Sequence, residues 1–279
     1  MVSNFHLPPT GFGPGSQPAP EDGTELAYME LPQNMRSYSM HVPDAPEEAD
    51  VSAALELLEK IADAAGLVAI DGGRARFDLG RLDAANRRLM AETLGHGEVA
   101  MRLHGIPAVA VQESVFAGVW VLKGADVDAV EVAAVPREAG ARAALPRRVA
   151  TGPRTALTPG VVNAPPLAVE LFDRSATWTP EAEIHVVNLT LLPHTEEDLA
   201  WLDAALGQGS TEILSRGYGN CRITSTALPQ VWRVQFFNSM DTLILDTFEV
   251  TAMPETAIAA PEDLADSARR IRAVAEAIR

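Results

Sequence analysis

The chain has 279 residues, with 22 Lys and Arg against 38 Asp and Glu, six His and one Cys, for a formal net charge of −16. With 47% apolar and 22% charged residues it is composed like an ordinary globular protein, long enough for one large core or two. A single Cys excludes an intramolecular disulfide framework and a cysteine-only zinc or iron–sulfur cage, no apolar run is long enough for a membrane helix, and the acidity opposes non-specific binding to nucleic acid or anionic membrane.

Residues 1–50 carry eight acids and one base, Arg36. Their start, MVSNFHLPPTGFGPG, lacks the basic and apolar regions of a secretory signal, which leads to the expectation of a cytoplasmic protein. The segment is rich in Pro and Gly without apolar periodicity, which predicts an extended or disordered tail. Its later part, LAYMELPQNMRSYSMHVP, spaces Tyr28, Met29, Leu31, Met35, Tyr38 and Met40 as a linear peptide able to dock on its own core or on a partner.

From Val51 to Ala65, Leu55, Leu58, Ile61 and Ala65 keep helical spacing. LVAI (67–70) reads as a strand, and Asp78 to Leu94 as a second helix ended by Gly95. Short strands are expected at Glu98–Leu103, Ala108–Ser114, Val119–Lys123 and Val130–Val135. Residues 51–160 balance thirteen acids with thirteen bases. Pro136 to Pro166, with Arg137, Arg142, Arg147, Arg148 and Arg154 against Glu138 alone, reads as a basic linker or surface loop able to lie on the acidic tail or on the second half.

The second half, 161–279, holds seventeen acids and eight bases. A helix is expected at Pro166–Trp178 and a β-branched strand at Ile184–Leu191. Thr195 caps the next helix, with Asp198 three positions on. Strands follow at Thr211–Ser215, Cys221–Ala227, Val231–Phe237 and Thr242–Thr251. Pro261 opens an amphipathic C-terminal helix through Leu264, Ala268, Ile271, Ala275 and Ile278.

The two halves repeat one another. LGHGEVAMRLHGIPAVAVQESVFAGVWVL (94–122) aligns with LGQGSTEILSRGYGNCRITSTALPQVWRV (206–234) at a constant offset of 112, matching Gly95 and Gly97 with Gly207 and Gly209, Gly105 with Gly217, and Val119-Trp120 with Val231-Trp232. Six extra residues follow in the second copy before Val135-Pro136 meets Met253-Pro254. The expected class is α+β: two copies of a helix–strand–helix–antiparallel meander unit related by a pseudo-two-fold axis, behind the Pro/Gly-rich tail.

Chemistry is sparse. There is no phosphate-binding Gly loop, no H-E-x-x-H and no G-x-S-x-G. None of the six His stands at metal-ligand spacing, so no catalytic residue, metal or cofactor is assigned. The densest polar segment is SRGYGNCRITST (215–226). Gly217 and Gly219 flank Tyr218 in a tight turn that presents it with Asn220, after Arg216. Cys221 then alternates with Ile223 and Ser225, while Arg222, Thr224 and Thr226 take the other strand face. The matching stretch of the first copy is apolar: Ile106, Pro107, Ala108, Val109 and Ala110. In VQFFNSMDTL, which contains Gln235, the extra residues add Asn238, Ser239, Met240 and Asp241. The divergence points to function in the second copy. A lone Cys is most often a small buried strand residue. The alternatives for Cys221 are a thiol that touches a partner's cluster or a thiolate ligand, and Arg222 on the opposite face does little to activate it.

RGYGNCRITSTALPQVWRVQFFNSMDTLILDTFEV resembles the C-terminal conserved region of the hydrogenase expression/formation proteins of the HupH/HyaF family. The likeness runs upstream through HVVNLTLLPHTEEDLAWLDAALGQG and includes GPGSQP and LPQNMRSY near the start. The resemblance implies an accessory protein for maturation of membrane-bound uptake [NiFe] hydrogenases, with no established enzymatic activity. It implies a cytoplasmic chaperone that holds the small, iron–sulfur-bearing subunit precursor before export, beside a thioredoxin-like accessory protein. The expected partner-binding residues are then Gly13, Pro14, Gly15, Ser16 and Gln17 of the tail. In the second copy they are Arg216, Gly217, Tyr218, Gly219, Asn220, Cys221, Arg222, Gln235, Asn238, Ser239 and Asp241. No nucleic acid partner and no membrane insertion are expected. The alternative is an iron–sulfur or thiol-redox protein acting through Cys221, which needs a dimer or partner ligands to hold a cluster.

Overall fold

The computed structural model describes residues 50–217 and 220–279. The tail, with Gly13, Pro14, Gly15, Ser16 and Gln17, and the turn residues Tyr218 and Gly219 lie outside the described residues.

The first half begins with α1 (Ser52–Asp71), then β1 (Arg74–Asp78) and α2 (Ala84–Leu94). A meander follows: β2 (Val99–Leu103), β3 (Val109–Glu113), β4 (Val119–Gly124) and β5 (Asp128–Ala133). The expected strand at 67–70 is instead the last turn of α1, and the strand lies at 74–78. LVAI continues the helix because Ala64, Ala65 and Val68 keep one buried face, and no breaker comes before Gly72, whose φ of 70° ends it. The order helix–strand–helix is kept, with the strand displaced. The second helix starts at Ala84 rather than Asp78, because the Asp83 side chain accepts the Asn86 N–H and caps it there.

The basic stretch is not a featureless linker. It contains α3 (Arg137–Ala143), with Ala139 and Ala143 buried, and then runs along the second half. Arg147 and Arg148 N–H groups donate to Gln208 O, and the Trp201 indole donates to Thr155 O and Ala156 O. The Arg147 and Arg148 side chains pair with Glu212 and Asp203.

The second half has α4 (Ala164–Thr177), β6 (His185–Asn188), a 3-10 turn at Leu189–Leu191, and α5 (Glu196–Leu206). Then come β7 (Thr211–Ser215), β8 (Asn220–Ser225), β9 (Val231–Phe237), β10 (Leu243–Val250) and α6 (Pro261–Ile278). Asn188 stops the expected longer strand by accepting the Leu191 N–H.

The strands form one sheet in the order β1-β5-β4-β3-β2-β7-β8-β9-β10-β6, every pairing antiparallel. The class is α+β. β2 and β7 meet at the centre with Met101 opposite Ile213. One face packs a continuous core that draws on both halves, including Leu103, Trp120, Ile213, Ile223 and Trp232, beneath α3 and the 253–257 segment. The other face carries the long helices. α4 and α5 bury Leu171, Leu202 and Leu206 against Val231, Phe248 and Val250. α1, α2 and α6 lie on the first half; Ser267 Oγ donates to Ala117 O, and Leu264 sits against Gly118.

Equivalent contacts recur at the sequence offset. Gly97 N donates to Glu113 O, and Gly209 N to Ser225 O. A Cβ on Gly97 would stand 2.2 Å from Ser114 O, and one on Gly209 2.5 Å from Thr226 O, so neither tolerates a side chain. The Trp120 indole donates to Ala133 O and the Trp232 indole to Thr251 O.

Candidate functional site

Alternation along β8 splits the polar segment between the two sheet faces. Cys221 points with Ile223 and Ser225 into the core. Its thiol is 4% exposed, with Thr256 Oγ1 3.9 Å away. Burial pushes the thiol up to about 11; the Thr256 contact opposes this and the nearby Glu249 charge adds to it. At neutral pH Cys221 is therefore a protonated core residue, and a poor nucleophile or metal ligand. Asn220 and Arg222 face the helical side and are exposed. The Arg222 guanidinium stands over the Phe237 ring, 5.5 Å from its centroid.

Arg216, Asn220, Cys221, Arg222 and Asp241 gather around a recess of about 470 Å³ at the end of β7 and β8. Asn220 Nδ2 stands 3.4 Å from Asp241 Oδ1. Gly217 is exposed beside Glu98, and Arg216 N donates to Glu98 O. The other expected residues do not join this recess. Asn238 Oδ1 accepts the Met240 and Thr242 N–H groups and shapes the β9–β10 turn, in which Ser239 is exposed. Asp241 follows at a φ of 56°. Gln235 belongs to a different set of contacts: its Nε2 is 3.3 Å from Asp246 Oδ2, and Arg233 grips the same buried carboxylate with Nε at 2.9 Å and Nη2 at 2.6 Å.

The larger feature was missed in the sequence. A cleft of about 1320 Å³ crosses the middle of the helical face, with α2 along it and β4, β3, β2, β7 and β8 as its floor. The register sets its surface as two rows. One runs Lys123, Ala110, Arg102, Glu212, Thr224; the other runs Val121, Gln112, Ala100, Leu214, Arg222. The apolar stretch of the first half, whose contrast with the second copy points function away from it, supplies Ala110 here. The available signal is the alternation itself: in VAMRL and VAVQE small or polar residues take every position opposite the core.

Five cations (Arg87, Arg88, Arg102, Lys123 and Arg222) line the cleft against two carboxylates, Asp128 and Glu212. Arg87 pairs with Asp128 at 2.8 Å and Arg88 with Glu92 at 2.7 Å. Burial alone would raise the Glu212 carboxyl, but His104 and Arg147 outweigh it and hold the group below its ordinary value. His104 Nε2 lies 3.3 Å from Oε1, in contact but off hydrogen-bonding angle. Arg102, Lys123 and Arg222 have no carboxylate partner among the described residues. Among the described residues there is no cluster of three His, Cys, Asp or Glu arranged for a metal, and no helix long and apolar enough to cross a membrane.

Comparison with known proteins gives a consistent result. The family described as HupH hydrogenase expression protein, C-terminal conserved region, matches residues 51–144 and 161–278. The chain is 62% identical over 279 residues to the hydrogenase expression/formation protein HupH of Rhodobacter capsulatus, covering 100% of both. It is 33% identical over 208 residues to the hydrogenase-1 operon protein HyaF of Escherichia coli K12, covering 71% of this chain and 72% of that protein. The solved structure of the hydrogenase expression protein HupH from Thiobacillus denitrificans aligns with 38% of this chain and 87% of its own, at 30% identity and a TM-score of 0.36.

Proposed function

Because this chain belongs to the HupH family of hydrogenase expression proteins, we propose that it acts in the formation of a hydrogenase, by binding a hydrogenase polypeptide rather than by catalysis. The observation that carries this reading is the open cleft across the sheet. It is larger than the roughly 300–1,000 Å³ of an ordinary small-molecule pocket, and its mixed floor of small, apolar and polar side chains carries cations that have no carboxylate partner among the described residues. Such a surface suits a polypeptide segment. The client in this proposal is the iron–sulfur small subunit, held in the cytoplasm before export and assembly, with a thioredoxin-like accessory protein beside it.

The thiol-redox alternative through Cys221 finds no support in the site. A buried thiol held up at about 11 neither ligates nor exchanges readily at neutral pH. We further infer that the two halves are copies of one unit about a pseudo-two-fold axis. Support comes from the strand order, in which corresponding strands take corresponding places from either end, and from the pairing of Met101 with Ile213, 112 positions apart.

The test is isolation of the tagged full chain, under anaerobic conditions, from cells making the hydrogenase. The expected result is co-purification of the small-subunit precursor. Recovery of the large subunit alone, or of no hydrogenase subunit, overturns the reading.

A further inference from the structure

The central cleft concentrates positive charge in a chain whose net charge is −16. Of its five cations, Arg87 and Arg88 are neutralised by Asp128 and Glu92, which leaves Arg102, Lys123 and Arg222. Arg102 and Lys123 are exposed on the sheet surface in one cross-strand row, separated by β3. Two strand spacings put their Cα atoms about 10 Å apart. Arg222 lies two strands from Arg102 on the other side, in the neighbouring row. Between them the floor carries Ala100, Ala110 and Leu214, together with Gln112 and with Glu212, which stands opposite Arg102 and is paired to Arg147.

In the register Glu212 stands opposite Arg102 and Asp128 opposite Lys123, but Arg147 and Arg87 hold those carboxylates, so the cleft keeps a positive excess. An extended polyproline II segment matches the spacing, because residues three apart along it share one side and are separated by about 9 Å. Glu or Asp side chains at that interval reach successive cations while small apolar residues rest on Ala100 and Ala110. Guanidinium groups add planar, two-pronged recognition of carboxylates.

We propose that this cleft is the docking site for an extended acidic segment of the hydrogenase client, whose carboxylates are read by Arg102, Lys123 and Arg222. The proposal rests on the client-binding reading above and names the chemistry of the segment. It also reassigns the working surface: the first half contributes Arg102, Lys123 and Ala110, and the second half contributes Leu214 and Arg222.

The test places the photo-crosslinking residue p-benzoylphenylalanine at Ala110, on the exposed floor, in the full chain within hydrogenase-expressing cells. A control carries it at Ile70, which is 81% exposed on α1 and outside the cleft. The expected adduct, sequenced by mass spectrometry, joins Ala110 to a hydrogenase-subunit segment of net negative charge, and is absent from the Ile70 control. Combining Arg102→Glu with Lys123→Glu lowers its yield at least about tenfold, while Arg102→Lys retains most of it. The yield also falls as salt is raised. Because Arg102→Glu faces Glu212 and Lys123→Glu faces Asp128, the same loss of yield is required of Arg102→Gln with Lys123→Gln, which adds no like-charge pair and leaves the melting temperature unchanged. A neutral or basic segment, a yield indifferent to charge reversal, or adducts only within this same chain overturn the proposal. If the subunit still co-purifies with the charge-reversed chain as well as with the original, the cleft is wrong and client binding stands. If no subunit co-purifies but another protein's acidic segment crosslinks at Ala110, client binding is wrong and the cleft's acid recognition stands.

Discussion

The two halves solve one helix-end problem with different chemistry. In the first half the buried Asn86 side chain, at the third position of α2, accepts the Ala54 N–H at 2.7 Å and donates to Asp50 O at 2.9 Å, tying down the start of α1. In the second half Asp198 holds the same place on α5. Its Oδ1 accepts the N–H groups of Val162, Asn163 and Ala164 at 2.8–3.0 Å, and its Oδ2 accepts that of Thr195. The preceding caps also correspond, with Asp83 receiving the Asn86 N–H and Thr195 that of Asp198. The backbone demand, unpaired N–H groups at a helix start, is common to both. A neutral amide suffices where one donor must be met, and an ionised carboxylate serves where four converge. The scaffold therefore varies its charge where geometry permits and keeps its hydrogen bonds where geometry does not.

The largest effects test whether the halves are separable at all. Trp120 and Trp232 are both buried in the single core beneath the sheet. Trp120→Ala or Trp232→Ala is expected to cost about 3–5 kcal/mol. Either change should shift the whole of one unfolding transition in urea, followed by circular dichroism. A variant that unfolds in two separated steps would show that the halves are stable alone. Next in size is the helix-end pair. Asp198→Ala strands four backbone donors and is expected to cost about 3 kcal/mol, against about 1.5 kcal/mol for Asn86→Ala. Equal costs would sink the argument from donor number.

The same pair differs in its response to acid. Burial alone would raise the Asp198 carboxyl, but its four backbone N–H donors outweigh that and hold it at about 2, below the ordinary 3.8. A depressed value stabilises the fold above the unfolded value and loses that contribution as pH falls from about 4 toward 2. Stability measured between pH 5 and 2 should therefore fall less steeply for Asp198→Asn than for the unaltered chain. Asn86→Ala should flatten the slope less, because what it removes is the amide that helps hold the exposed Asp83 carboxyl below its ordinary value. A parallel slope in Asp198→Asn would assign the acid sensitivity elsewhere.

These pairs also show what was legible in advance. Thr195 with Asp198 three residues on is a local pattern, and the structure has that capping box. The second task of Asp198, closing α4 from 34 to 36 residues away, depends on tertiary packing and leaves no local trace. Helix and strand periodicity located α6, β7 and β9 to the residue. It failed at 67–70, where apolar β-branched residues continue a buried helix and tertiary context overrides propensity. Of the site, the sequence found β8. It placed Cys221 and Arg222 on opposite faces but could not say which face was open. The cleft stayed hidden because its floor joins β2 to β7, a contact made across more than a hundred residues of chain.

Smaller effects sharpen the contrast at single residues. Cys221→Ala is expected to cost about 1 kcal/mol as a minor loss of packing. Iodoacetamide should modify the folded, unaltered chain slowly at pH 8, and faster only as pH approaches the thiol's value of about 11. Rapid modification at pH 8 would make Cys221 an accessible thiolate after all.

The smallest difference lies at the β4–β5 and β9–β10 ends of the two meanders. Gly118 O accepts the Ala133 N–H, and Gln230 O accepts that of Thr251. Both residues have left-handed backbone, with φ of 76° and 60°. The first half needs glycine for two reasons: the φ itself, and α6, whose Leu264 would stand 2.3 Å from an added Cβ. At Gln230 only the φ argues for glycine, so a side chain is carried at a modest cost in strain. Gln230→Gly should relieve that strain while adding freedom to the unfolded chain, for a net gain of about 0.5 kcal/mol in chemical denaturation. A loss instead would mean that the Gln230 side chain makes contacts worth more than the strain it imposes, and that the second meander has found its own substitute for the packing α6 gives the first.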